Sequence, residues 1–169
     1  ADIEIKAQCY GQAKTLLQRC IKLDPDYAPA RSNYIALLIR NQDVQMALSE
    51  VTLLLEAHPE NPTYLYLKAT VLVRLGDHPK AIGLLEVILA NDPCRTKVQL
   101  SYGHALKAVG RVEDAIIAYR RAIEVSPRNA EAYWSLANLK TFRFTNADIA
   151  AMRFAIHSQS DAANQQPYL

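Results

Sequence analysis

Residues capable of chemistry are few in this sequence, and their spacing matches no known catalytic or metal-binding pattern. Metal ligation and acid–base catalysis draw mainly on histidine, cysteine and paired carboxylates. No HExxH or CxxC motif occurs, and neither a GxxxxGK[ST] nor a GxGxxG phosphate loop is present. The four histidines are scattered, at His58, His78, His104 and His157. We therefore predict that this chain is not an enzyme, with no catalytic residue, no metal site and no cofactor.

The three cysteines are predicted to be unpaired. Cys9 and Cys20 are eleven residues apart, about three turns along a helix and beyond disulfide distance. Cys20 and the apolar residues Leu54, Ile88 and Ala122 follow one another along the sequence at one constant interval. We therefore expect the Cys20 side chain to lie in the core, as apolar side chains do. Unpaired thiols are typical of a reducing compartment, which indicates a cytoplasmic protein.

The composition is that of a folded domain without a strong charge bias. The chain has 169 residues, with 19 Lys+Arg against 17 Asp+Glu, and half of its residues are hydrophobic. This near-neutral charge argues against a nucleic-acid partner. No apolar run reaches the ~18 residues of a membrane span, and the start of the chain is unlike a signal peptide. We expect neither nucleic-acid nor membrane binding.

Four sets of residues recur every 34 positions, in fixed phase with one another. They are Pro25, Pro59, Pro93 and Pro127; Ala13, Ala47, Ala81 and Ala115; Leu38, Leu72 and Leu106; and Leu17, Val51, Leu85 and Tyr119. Each alanine precedes a proline by twelve residues. A repeat of this length is typical of a solenoid of stacked helical units.

The repeated residues have roles that suit pairs of helices. Proline ends a helical run, the glycines Gly76 and Gly110 let the chain reverse, and a recurrent alanine lets two helices cross closely. Gln42 stands where the first such glycine would be. Apolar stripes at i, i+3 and i+4 predict helices at 28–41, 44–57, 62–75, 78–91, 96–109 and 112–125. The predicted N-caps are Asp43, Asp77 and Asn61.

Residues 96–129 resemble a tetratricopeptide repeat (TPR). The residues that carry the resemblance are Gly103, Leu106, Gly110, Ala115, Tyr119, Ala122 and Pro127. The resemblance implies an all-α fold, a right-handed TPR superhelix (α-solenoid) of antiparallel helix pairs. We expect a single TPR domain over residues 1–169. Its parts are a partial repeat (1–27), regular repeats (28–61, 62–95 and 96–129), a modified last repeat (130–157) and a tail (158–169).

The first helix of this chain is predicted to lack a partner. In the TPR frame Ala1 takes the eighth place of a repeat, so residues 9–23 form a second helix whose first helix is missing. Leu16 should therefore be uncovered. We expect self-association through the open ends of the repeats.

The last repeat departs from the pattern. Residues 130–144 begin as a first helix, but Lys140 replaces a large apolar residue and no glycine turn follows. Thr145 or Asn146 is predicted to cap a new helix near 146–157, with Asp148 in its first turn. Residues 130–156 are similar to the junction between TPRs and the catalytic domain in bacterial sulfotransferases. This resemblance implies that the chain is the N-terminal TPR region of a larger sulfotransferase-like protein.

A protein or peptide partner is expected in the concave groove that the TPR resemblance implies. The predicted groove residues are Ser32, Arg40, Tyr66, Thr70, Arg74, Lys97, His104, Lys107, Trp134 and Asn138. Basic side chains would bind acidic groups, and aromatic ones would act as rigid anchors. The alternative is that the basic residues are only solvated and that Trp134 packs on the following helix. Of the residues that clamp a chaperone C-terminal carboxylate in some TPRs, only Lys97 is matched, so we predict no such binding.

Two functions therefore remain open from the sequence. The first is a non-catalytic interaction or scaffold module within a sulfotransferase-like protein. The second is a stand-alone regulatory or assembly TPR protein that binds a partner peptide in its groove.

Overall fold

The chain is folded into α-helices within the part that the structure describes. The computed structural model describes residues 2–154, with one compact unit up to Ile88 (unit 1) and another from Leu89 (unit 2). The helices are α1 (Asp2–Leu23), α2 (Ala28–Arg40), α3 (Val44–Ala57), α4 (Pro62–Arg74), α5 (His78–Asn91), α6 (Thr96–Ala108), α7 (Val112–Val125), α8 (Ala130–Ala137) and α9 (146–154). The all-α class of helix pairs is confirmed, while a single domain over 1–169 stays a prediction.

The predicted boundaries of the six central helices agree with the structure to within one residue. All four recurrent prolines lie in the turns that follow second helices, as their missing N–H requires. The first helix is longer than predicted, since it begins at Asp2 instead of residue 9. The predicted tail 158–169, and the end of the last predicted helix beyond residue 154, lie outside the described residues.

Unit 1 has a core built where successive helices cross. α2 packs against α1, α3 and α4, and α3 packs against α4. Large side chains of α2 and α3 meet there, including Tyr34, Leu38 and Val51, and Val71 of α4 joins them. The repeated alanines Ala47, Ala81 and Ala115 are fully buried, whereas Ala13 of α1 is only half buried.

The prediction for Cys20 was wrong, because its side chain is exposed. The equivalent residues Leu54, Ile88 and Ala122 are all buried. In unit 1, α1 packs against α2, and the residues of α1 that contact the core there are Leu17 and Ile21. Leu16 is 64% exposed, which confirms the predicted open face.

The N-cap predictions were right at two positions. The Asn61 side chain accepts hydrogen bonds from the backbone N–H groups of Thr63 and Tyr64, at 2.9 and 3.4 Å. Asp77 Oδ1 accepts from the Lys80 backbone N–H at 3.3 Å. Both side chains thereby satisfy N–H groups that lack partners in the first turn of a helix.

Asp43 occupies an N-cap position but does not cap α3 with its side chain. Its carboxylate instead accepts hydrogen bonds from the Tyr10 hydroxyl and from Lys14, both on α1. The Tyr10 hydrogen bond is the main reason that the pKa of Asp43 lies below its usual value. The predicted local cap is thus replaced by a tertiary contact that joins α1 to the start of α3.

In unit 2, α6 packs against α7 and α7 against α8. The Tyr119 ring is fully buried and lies directly over Gly103. A Cβ at position 103 would lie 2.5 Å from a carbon of that ring, so only glycine lets α6 and α7 approach this closely.

The last repeat is capped as the sequence predicted. α8 ends at Ala137, and α9 begins after Thr145. The Asp148 carboxylate accepts hydrogen bonds from both the N–H and the hydroxyl of Thr145 at 2.8 Å, and the Asp148 N–H donates to Thr145 Oγ1 at 3.2 Å. This reciprocal pattern is a capping box with aspartate in the place of glutamate.

The turns inside the helix pairs require a left-handed backbone. Gly76 and Gly110 have φ of 80° and 82°, and Gln42 adopts φ of 65° at the equivalent place. A side chain with a Cβ is disfavoured in this region by about 1–2 kcal/mol. The sequence therefore carries local strain at Gln42 that the two later repeats avoid.

We expect Gln42→Gly to stabilise the protein by about 0.5–1 kcal/mol, because the strain removed exceeds the added freedom of the unfolded chain. Urea unfolding would measure the change. Ser49→Gly, in the exposed middle of α3, is the control and should destabilise instead. A loss of stability in Gln42→Gly would contradict the proposed role of this turn.

Candidate peptide-binding surfaces

The predicted groove residues fall into two sets, five in each unit. In unit 1 they lie on the first helices α2 and α4, which pack side by side. Arg40 and Arg74 are exposed in the last turns of these helices, where a cation complements the helix dipole. Ser32, Tyr66 and Thr70 are only partly exposed.

The hydroxyl group of Thr70, one of the predicted groove residues in unit 1, forms a hydrogen bond within its own helix. Thr70 Oγ1 donates a hydrogen bond to the backbone carbonyl of Tyr66 at 2.9 Å. The hydroxyl proton of Thr70 is therefore engaged without a ligand. The accessible charged groups of this set are the two arginines.

In unit 2 the predicted residues form a second set, which we call the α6–α8 surface. It comprises Lys97, His104, Lys107, Trp134 and Asn138, and all five are exposed. The Trp134 side chain is 68% exposed, so the alternative that it packs on the following helix is wrong. An exposed indole offers a large, rigid contact area at low entropic cost.

A hydrogen bond joins the two helices of this surface. His104 Nε2 lies 3.1 Å from the hydroxyl oxygen of Ser135, which is 2% exposed. Ser135 is the next residue after Trp134, so the serine is turned inward while the indole faces solvent. Sequence reasoning missed Ser135. The available signal was its separation from His104 along the sequence, which is close to one repeat and places the two residues on successive first helices.

The electrostatics of His104 follow from its inner neighbours. One side of the imidazole faces the Tyr119 ring, with centroids 5.5 Å apart and an interplanar angle of 57°. Burial against this neighbour lowers the pKa of His104, and the charge of Lys107 lowers it further, while Glu131 opposes the shift. Burial also raises the pKa of Tyr119 to about 12. The neutral form of His104 is therefore favoured over the protonated form, relative to a free histidine.

The described residues hold no cluster of three or more histidine, cysteine or acidic side chains that would bind a metal ion. Within residues 2–154, no helix is both long and apolar enough to cross a membrane. The groups that these two surfaces expose are cations, an indole and an amide.

Two family models match the chain. Residues 4–71 match a tetratricopeptide repeat model, and residues 103–140 match a second TPR model. A curated relative, the small glutamine-rich tetratricopeptide repeat-containing protein 2 of Mycosarcoma maydis, is 33% identical over 75 residues. The match covers 44% of this chain but only 21% of the relative, so the chain spans about a fifth of that protein.

Solved structures share the fold. The crystal structure of MamA matches with a TM-score of 0.73 at 16% identity, covering 96% of each chain. The first TPR of Spaghetti (RPAP3), bound to the HSP90 peptide SRMEEVD, matches with a TM-score of 0.59 at 20% identity. That match covers 81% of this chain and 96% of the other. At these identities the likeness concerns the fold alone.

We expect protonation of His104 to destabilise unit 2. Its pKa is lower in the folded than in the unfolded chain. Its contribution to stability is therefore complete above the unfolded pKa of about 6.5 and is lost as pH falls through the folded pKa. Urea unfolding at pH 7.5 and pH 5 should show a smaller loss of stability for His104→Gln than for the wild type. His58→Gln in unit 1 is the control, and equal losses in His104→Gln and wild type would refute this assignment.

Proposed function

We propose that this chain, which contains tetratricopeptide repeats, is a non-catalytic interaction module that binds an extended peptide along its first helices. The observation that carries the proposal is Trp134, a large aromatic side chain that is 68% exposed on α8, although the next two residues, Ser135 and Leu136, are buried. Aromatic residues of this kind are enriched at the energetic centres of protein interfaces. Its place on α8, a first helix, agrees with the predicted groove.

The chemistry of the α6–α8 surface favours a peptide with both an apolar and an acidic residue. The indole of Trp134 would pack against an aliphatic, proline or aromatic side chain. Lys107 would pair with a carboxylate, and the exposed Asn138 amide can hydrogen-bond a peptide backbone. The separate surface of unit 1 would bind acidic groups of its own through the exposed Arg40 and Arg74.

A chaperone C-terminal tail is not the partner that we propose. The Spaghetti TPR is bound to the HSP90 peptide SRMEEVD. In this chain only Lys97 matches the residues that clamp a chaperone carboxylate. The partner should instead be recognised through Trp134.

Trp134→Ala should weaken binding of acidic peptides about 30-fold, because truncating a central aromatic anchor costs about 2 kcal/mol. An array of short acidic and neutral peptides would select the probe, and fluorescence anisotropy would measure its affinity. SRMEEVD belongs in the array and should not bind at micromolar concentration.

Ile117→Ala is the matched control for this experiment. Ile117 is 52% exposed but lies on α7, a second helix, so its truncation should leave the affinity unchanged. Equal binding by the Trp134→Ala variant and the wild type would contradict the proposal, as would micromolar affinity for SRMEEVD.

We also propose that these repeats belong to a larger sulfotransferase-like protein, with α8 and α9 at the junction to its catalytic domain. The support is the resemblance of residues 130–156, together with the built geometry of this segment. The Arg120 guanidinium forms two hydrogen bonds to the Asp148 carboxylate, at 3.2 and 3.3 Å. It also lies 5.2 Å from the centroid of the Phe142 ring. A cytoplasmic location is part of the proposal, supported by three unpaired, exposed cysteines.

The coding sequence that follows Leu169 would test this second proposal. A strand–loop–helix that binds the phosphates of phosphoadenosine phosphosulfate is expected there, and the longer protein should bind that donor. A longer protein without donor binding would overturn the sulfotransferase assignment and favour the stand-alone regulatory TPR protein. The Trp134 experiment is independent of this outcome.

A further inference from the structure

Glu131 adds a negative charge to the α6–α8 surface. It is exposed in the first turn of α8, three residues before Trp134 and seven before Asn138. Residues three or four apart lie on one side of a helix, so these three side chains form a single stripe along α8. Burial lowers the pKa of His104 and the charge of Glu131 partly offsets this, so the acid at the start of the stripe lies near α6.

The hydrogen bond between His104 and Ser135 fixes which residues of α6 and α8 lie side by side. Each of these helices packs against α7 and is joined to it by a short turn, so α6 and α8 run in the same direction. Three residues beyond the hydrogen-bonded pair are Lys107 on α6 and Asn138 at the end of α8, both exposed. The cation and the amide therefore lie opposite each other, about 4.5 Å along the helix axes from the hydrogen bond.

The charge of the α6–α8 surface therefore changes sign along its length. Glu131 lies at the start of α8, Trp134 lies about one turn further along, and Lys107 lies at the opposite end, in the last turn of α6. Among the residues that the structure describes, neither Glu131 nor Lys107 forms an ion pair, so both charges are available to a ligand. The exposed indole between them offers the apolar contact.

The two charges are separated by a distance that an extended peptide can match. Glu131 and Lys107 are about two turns apart along the helix axes, or about 10.5 Å. The axes of helices in contact are about 8–10 Å apart, so the diagonal between the two residues is about 14 Å. Residues i and i+4 of an extended chain are about 13 Å apart, and the side chains of residues i, i+2 and i+4 lie on one side of it.

We propose that the α6–α8 surface selects a peptide segment with a basic, an apolar and an acidic residue at alternate positions, an inference that rests on the proposed peptide-binding function. The basic side chain would pair with Glu131, and the apolar one would pack on Trp134. The carboxylate would bind Lys107, and the Asn138 amide can hydrogen-bond beside it. A segment with acidic residues at both ends would place one of them against Glu131, and such a contact between like charges is unfavourable.

Three labelled, end-capped peptides with the same central isoleucine test this charge pattern. They are GKSISEG, its reverse GESISKG, and the acidic GESISEG. Fluorescence anisotropy with the whole chain, in a buffer of low ionic strength at pH 7.5, would measure their affinities. One of the two mixed-charge peptides should bind about fivefold more tightly than GESISEG, because an attractive exposed pair replaces a repulsive one. The direction in which the peptide runs along the surface decides which of the two it is.

Charge reversal tests the role of Glu131. The Glu131→Lys variant should bind GESISEG most tightly, and Glu131→Gln should bring the affinities of the mixed-charge and acidic peptides closer together. Glu124→Lys makes the same change of charge at an exposed position in the last turn of α7, a second helix, and is the matched control that should keep the wild-type order. Glu131→Lys combined with Lys107→Glu should exchange the preference between GKSISEG and GESISKG. Circular dichroism would show that each variant is folded.

Two results would overturn this inference: an order of affinities that Glu131→Lys leaves unchanged, or the same change of order in Glu124→Lys, since net charge alone would then decide. The Trp134→Ala variant separates this inference from the proposed function. If it weakens binding of all three peptides while the charge pattern has no effect, the groove proposal stands and the charge pattern is refuted. If none of the three peptides binds, or if Trp134→Ala leaves every affinity unchanged, both are refuted.

Discussion

The close crossing of paired helices is the constraint on which this structure depends. At Ala47, Ala81 and Ala115 the side chain is fully buried, so no larger residue fits without moving the helices apart. This crossing recurs in the three regular repeats, where it sets how closely the two helices of each pair approach. The binding surfaces are consequences of this spacing, since the residues proposed for them lie on helices positioned by these contacts.

In unit 2 the same constraint also shapes the chemistry of the surface. Gly103 leaves room for the Tyr119 ring, and the buried ring in turn forms the inner neighbour of His104. The lowered pKa of His104 and the inward position of Ser135 follow from this packing. Lys107 and Trp134 are exposed on the same two helices, and neither side chain takes part in the His104–Ser135 hydrogen bond.

Periodicity predicted the helices and their phase, because buried residues recur with the geometry of the helix itself. It could not predict what covers a given face, as Cys20 shows: its phase is that of Leu54, yet nothing in unit 1 packs over it. Asp43 illustrates a second limit, since a residue suited to a local cap was bound by Tyr10 from another helix. Trp134 is a third, because spacing alone did not distinguish packing on the next helix from exposure. Local signals were reliable where the partner lies within a few residues, as for Asn61 and for Thr145 with Asp148.

In the last repeat the helices still begin at the positions that the 34-residue repeat predicts, although their packing differs from that of the other repeats. α9 begins at residue 146, one full repeat after the start of α7 at Val112, although α8 ends as early as Ala137. Ile149 takes the place of the buried alanine and is 40% exposed, so the close crossing is absent here.

The contact between α7 and α9 is instead the ion pair of Arg120 with Asp148, whose carboxylate also caps α9. The Thr145 hydrogen bonds and Arg120 keep the pKa of Asp148 low, so the charge that holds this helix is maintained at neutral pH. A charged contact of this kind fixes the start of α9 without covering its apolar residues, and Ile149 and Phe154 are 40% and 76% exposed.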